Sequence, residues 1–160
     1  MRSFAPFLAL LLLLGGCASI RNAGELGNGL DASGNPLYLS PEAQQKEIME
    51  NFLTDYSNPD DSLKIEYLLT VIERSPYTFV RNGQRADGED AMQWLRWKMH
   101  HKQYADCPIL TPDDFVDRVA DISRNSGLPY EVIYPDNHRE KLQAILRHEL
   151  DAFQARLGRK

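Results

Sequence analysis

Residues 75–83 read Ser-Pro-Tyr-Thr-Phe-Val-Arg-Asn-Gly. Pro76 and the residue before it disfavour helix. Tyr77-Thr78-Phe79-Val80 is aromatic and β-branched, which predicts a short strand. Asn82-Gly83 predicts a tight turn, because both residues accept a positive φ. The patterns on either side are mainly helical, so this stretch makes the fold α+β rather than all-α.

Upstream, Asn58-Pro59 separates two helical patterns. Ile65, Leu68, Leu69 and Ile72 form one apolar face directly before Ser75-Pro76. Before the break, Ile48, Phe52 and Tyr56 share a stripe flanked by Met49 and Leu53. That helix is predicted to start at Ser40-Pro41, with Ser40 as N-cap and Pro41 in the first turn.

Downstream, Asp87 can cap a third helix running to Met99. Its apolar set is Ala91, Met92, Trp94, Leu95 and Met99, with Trp97 on the flank, a stripe wide enough to predict a central place in the core. Thr111-Pro112-Asp113-Asp114 is another capped start, with acids at the positive end of the helix dipole. Phe115, Val119 and Ile122 follow at core spacing, and Gly127 ends the segment. Residues 130–134 alternate loosely and predict a second strand, able to pair with the first. A last helix is expected over 137–157, burying Leu142, Ile145, Leu146, Leu150 and Phe153. The expected fold is predominantly α, with about five helices and a two- or three-stranded antiparallel sheet.

The 160 residues suit one domain, and 42% hydrophobic content suits a folded one. A formal charge of −5 argues against a general nucleic-acid binder, which needs a basic excess to neutralise phosphates. Two cysteines cannot form a disulfide scaffold.

The N-terminus reads as an address. Arg2 precedes a charge-free apolar run, Phe7 to Leu14, too short to span a bilayer. It ends at Leu14-Gly15-Gly16-Cys17, which resembles the lipobox of bacterial lipoproteins. Residues 1–16 are then a signal peptide and Cys17 carries the lipid. Several acyl chains hold a protein at a membrane where one does not. Ala18 in place of Asp, by the same resemblance, favours the outer membrane, with the domain facing the periplasm. The bland alternative is an ordinary secretory cleavage beside an incidental cysteine. Residues 17–39 carry Gly24, Gly27, Gly29 and Gly34 among Asn22, Asn28 and Asn35, the composition of a flexible tether. The globular domain is therefore expected over 40–158. Cys107 is left without a partner and is expected to be buried.

From Phe79 onward the chain resembles the YfeK-like family of small proteobacterial envelope proteins. The resemblance is carried by Phe79-Val80-Arg81-Asn82-Gly83, then Ala91, Leu95-Arg96 and Lys98. Thr111, Phe115, Val116, Ser123, Ser126-Gly127 and Pro129-Tyr130 continue it, in the same order and spacing. It covers roughly residues 62–155. It implies an exported protein, lipidated or free in the periplasm, and it implies no reaction. Trp94 departs from the pattern, which has a His before the Leu-Arg pair.

The candidates for chemistry are sparse. His100 and His101 point about 100° apart on a helix and do not chelate together. His148-Glu149 lacks the second His of a metalloprotease motif. Ser123 and Ser126 lie in a helix-ending loop without a nucleophile elbow. Asp60-Asp61, Glu89-Asp90 and Asp113-Asp114 fall at helix starts, where capping explains them. Trp94-Leu95-Arg96-Trp97-Lys98 reads as a core helix with Arg96 and Lys98 on its wet side. No metal, cofactor or catalytic set is predicted.

Arg81 beside the 82–83 turn is the leading functional residue, because a cationic fork beside aromatics is a common recognition surface. The structural alternative is an arginine that pairs with an acid to hold the turn. Arg81, Asn82, Arg96, Ser126 and Tyr130 form the candidate binding patch. The expected function is that of a non-enzymatic, outer-membrane-anchored binding module for an envelope protein or peptidoglycan. The alternative is a cell-wall hydrolase or a lysozyme-inhibitor-like protein of the periplasm.

Overall fold

The computed structural model describes residues 27–159; the signal segment and Cys17 lie outside them. Five helical segments and a four-stranded antiparallel sheet make a helix-dominated α+β fold. Helix α1 spans Glu42–Asp55 and α2 spans Asp61–Glu73. Strands β1 (Thr78–Arg81) and β2 (Gln84–Ala86) form the hairpin closed by Asn82 and Gly83, whose φ values are 53° and 78°. Helix α3 is Gly88–Met99. Helix α4, Pro112–Asp114, runs into a π-turn over Phe115–Val119. Strands β3 (Glu131–Ile133) and β4 (Arg139–Lys141) precede α5, Leu142–Leu157.

The predicted pairing of the two strands is present: Phe79 faces Val132 and Val80 faces Glu131. The sheet runs β2-β1-β3-β4. Two or three strands were expected, and the outer strands β2 and β4 bring the count to four. They are three residues each and held by their neighbours rather than by an apolar pattern of their own. Strand β4 also moves the last helix, which starts at Leu142 and not near residue 137. Asn137, at φ 66°, turns the β3–β4 hairpin instead.

Helix starts follow their local signals. The Asp60 carboxylate accepts from the Leu63 amide at 2.9 Å and the Asp87 carboxylate from that of Asp90 at 3.0 Å. Thr111 and Asp114 form a reciprocal capping box. Ser40 does not cap α1: its hydroxyl is buried and unpartnered, because the chain turns inward at Leu39.

The central helix is α2, not α3. Ile65, Tyr67, Leu68, Leu69, Val71 and Ile72 are all buried, and each fully buried aliphatic side chain contributes ~1.5–3 kcal/mol. Tyr67 stacks on Phe153 of α5 at 4.0 Å, and Phe52 of α1 meets both rings edge-on. Helix α3 lies outside this layer, with Ala91 and Leu95 buried and Trp97 62% exposed. Gly88 lets it approach α2: a Cβ there would stand 2.3 Å from the Ile72 carbonyl.

Residues 27–39 are not a loose tether. They form a strap across α5 and β4. The Gly29 amide donates to Glu140 at 2.8 Å and the Leu39 amide to Glu149 at 2.8 Å. Tyr134 donates its hydroxyl to the Tyr38 carbonyl, and Ser75 donates to that of Leu39. Leu39 itself is wholly buried. Gly27 and Gly29 here serve close approach rather than mobility. A Cβ on Gly27 would collide with the Glu140 carboxylate, and Gly29 sits at φ 78° beside His148.

Candidate functional site

The β1–β2 turn places Arg81 at the end of the central hairpin, directly across from Gln84. Its guanidinium lies over the Trp94 ring of α3, 5.6 Å from the centroid, within cation–π range. The Nε–H of Arg81 is buried and meets no acceptor. A buried donor without a partner costs ~1–3 kcal/mol. No carboxylate pairs with Arg81 among the described residues, so the structural alternative of an acid-held turn is not what the geometry contains.

The loop after the π-turn docks on the same hairpin. Ser126 donates its hydroxyl to the Asn82 side-chain oxygen at 2.5 Å and accepts the Leu128 amide. The Ser123 amide donates to the Leu128 carbonyl, and Gly127 takes φ 69° to close the turn. This leaves Leu128 55% exposed and Ile122 41% exposed beside the hairpin. Ser123 is buried with its hydroxyl unpartnered.

Lys98 comes from beneath. It is 7% exposed, not on the wet side of α3. Its ammonium donates to the carbonyls of Val119 and Ile122, both at 2.7 Å, and stands 5.0 Å from the Tyr130 ring centroid. Burial pushes its pKa down to about 8; Asp121 opposes this, and the cations of Arg81 and Arg124 add to it. Burial raises the Tyr130 phenol, and the Arg81 charge pulls the other way. Arg81, Lys98 and Arg124 thus form a local cationic cluster on an acidic protein.

Four of the five patch residues meet here: Arg81, Asn82, Ser126 and Tyr130. Tyr130 is buried and acts as a floor rather than a contact surface. Arg96 does not join them. It makes a two-pronged pair with Glu66 of α2, at 2.8 and 2.7 Å. Two residues of helix separate it from Trp94 by about 200°, so it leaves α3 on another face.

The depression under Trp94 and Tyr130 is apolar, lined by Phe79, Ala91, Leu95 and Leu142, and holds only about 10 Å³. That is room for one water-sized group. Larger hollows of about 290 and 580 Å³ lie between α1 and α2 and beside Tyr77 and Arg85, and neither includes Arg81. The Arg81 site is a surface, able to hold a group against it by charge, stacking and two-pronged hydrogen bonding.

Cys107 is a free, exposed thiol, against the expectation of burial; it lies in the irregular stretch between α3 and α4, which buries little. Among the described residues no group of three or more His, Cys, Asp or Glu is placed to hold a metal, and no helix is long and apolar enough to cross a membrane.

Sequence reasoning missed Lys98, Glu140 and Glu149. Glu149 carried a signal: it falls on the apolar face of α5, between Ile145-Leu146 and Leu150-Phe153. A charge there is buried or the stripe is broken.

No curated protein and no solved structure matches the chain. Residues 59–154 match a family model, and this span runs from the start of α2 into α5 and contains the whole Arg81 site. The strap and α1 precede it. With more than half of its length matched, the chain belongs to the family of unknown function DUF5329.

Proposed function

We propose that this protein is an outer-membrane lipoprotein, anchored through Cys17, whose domain binds another envelope component without turnover. The lipobox-like Leu14-Gly15-Gly16-Cys17 supports the anchor, as does the resemblance to exported YfeK-like proteins. The observation that carries the binding role is Arg81. Its guanidinium is laid on Trp94, its Nε–H meets no acceptor, and no acid of the described residues neutralises it. A cation held in place without an internal partner suits a partner from outside. The component bound is an envelope protein or the cell wall.

The test places a photocrosslinking amino acid at Gln84, directly across from Arg81, in living cells. A discrete adduct at Gln84, missing from an exposed control site on α5 and lost on Arg81→Ala, is the expected result. No adduct, or one insensitive to Arg81, defeats the reading for a protein partner. The anchor is tested separately: Cys17→Ser should abolish labelling by radioactive palmitate and release the protein from the membrane fraction.

A further inference from the structure

We infer that the Arg81 surface is a carboxylate-binding site, and that its ligand is a peptide whose terminal carboxylate is carried on an apolar residue. This rests on the binding role proposed above and names its ligand.

Arginine presents its donors in one plane, and two parallel N–H groups match the two oxygens of a carboxylate. Arg96, Arg118, Arg139, Arg147 and Arg156 each pair with an acid of the protein itself. Arg74, Arg85 and Arg124 have no such pair and are exposed to water. Arg81 differs from both groups. It is half-buried, one face covered by Trp94, and has an Nε–H that neither protein nor open solvent satisfies. The Nε–H itself is closed off from outside, whereas the two Nη groups are neither sealed nor bonded within the protein and form the edge that a carboxylate can reach.

The surroundings select the ligand. Arg124 and Lys98 add positive potential on a protein of net charge −5, and Asp121 is the acid that faces Lys98. Lys98 spends two of its three N–H donors on Val119 and Ile122, so it supplies charge more than hydrogen bonds. A tetrahedral phosphate wants several converging donors, and one planar edge suits a carboxylate better. Leu128 and Ile122 are exposed on the loop that Ser126 ties to Asn82. They offer apolar contact to the residue that bears the carboxylate.

The experiment observes the arginine Nε–H and tryptophan indole signals of the ¹⁵N-labelled full chain in detergent by NMR. Three probes are titrated: acetyl-Ala-Leu-Leu with a free C-terminus, the same peptide as its C-terminal amide, and inorganic phosphate. The free acid is expected to move the Arg81 Nε–H and the Trp94 indole saturably. Arg81→Lys should weaken it about tenfold or more, because the planar pair is lost while the charge remains. Arg96→Ala should leave it unchanged. Equal shifts from acid and amide overturn the carboxylate assignment and leave the docking surface standing. Phosphate binding as well as the acid overturns it in favour of a general anion site. If no probe moves Arg81 while the Gln84 adduct persists in cells, the ligand assignment falls and the binding role survives.

Discussion

Glu149 of α5 accepts the backbone amide of Leu39 at 2.8 Å, across 110 residues of chain. Its other oxygen accepts from the Gln45 side chain at 3.0 Å. The carboxyl group is fully buried, and burial pushes its pKa up to about 7, although both donors pull it down. Its ordinary value is 4.5, so between about pH 4.5 and 7 the folded state binds the extra proton. The stabilisation linked to this group is complete below about pH 4.5 and is lost as pH rises through about 7. Relative to Glu149→Gln, the native protein should gain on the order of 3 kcal/mol between pH 8 and pH 5. Urea unfolding of both proteins at each pH reads this directly. A difference that stays flat with pH would mean that Glu149 titrates as an ordinary glutamate.

Glu140 holds the other end of the strap through the Gly29 amide. Hydrogen bonds to a charged acceptor are worth about 1.5–3 kcal/mol. Glu140→Ala should therefore speed hydrogen exchange at Gly29 by about tenfold to a hundredfold. Protection at Leu39, which depends on Glu149, should change far less. Equal loss at both amides would show that the strap opens as one unit.

Gly88 is where α3 meets the end of α2. A Cβ would stand 2.3 Å from the Ile72 carbonyl and 2.7 Å from that of Glu73. Alanine is the better helix former by ~1 kcal/mol, yet backbone on backbone cannot yield as a side chain can. Gly88→Ala should lower stability by about 1–3 kcal/mol in urea unfolding. A stabilised variant would mean that α3 slides away from α2 without cost.

Lys98 and Arg96 stand two residues apart and should behave in opposite ways. Lys98→Met leaves the Val119 and Ile122 carbonyls without their donor and should cost about 2–3 kcal/mol. Arg96→Ala removes an ion pair with both side chains about two-fifths exposed and should cost under ~1 kcal/mol. Thermal unfolding of the two variants side by side decides between these environments.

Cys107 is exposed, with its carbonyl held by Arg118. A maleimide should label it in the folded protein within a few fold of the rate in urea. Strong protection in the native state would place the thiol in a contact between copies or with a partner.

What the sequence determined by itself was local. Asp60, Asp87 and Thr111 start helices because each carboxylate or hydroxyl reaches an amide three residues on. Asn82-Gly83 turns because of what those two residues allow at positive φ. The apolar faces of α2 and α5 follow from a 3.6-residue period, and the β1–β3 pair from two apolar, β-branched and aromatic runs. Only the tertiary structure decided the rest. The outer strands β2 and β4 exist because β1 and β3 offer them hydrogen bonds. The π-turn after α4 ends at Val119, whose carbonyl the Lys98 ammonium takes together with that of Ile122 beyond it, so the predicted helix stops short of Gly127. Arg96 and Arg81 look alike in sequence, and only the position of Glu66 on the neighbouring helix neutralises the one and leaves the other free. Glycine and asparagine in residues 27–39 read as a tether because composition reports chain freedom. Whether that freedom is lost depends on two buried carboxylates more than 100 residues away, and hydrogen bonds at that range leave no local pattern.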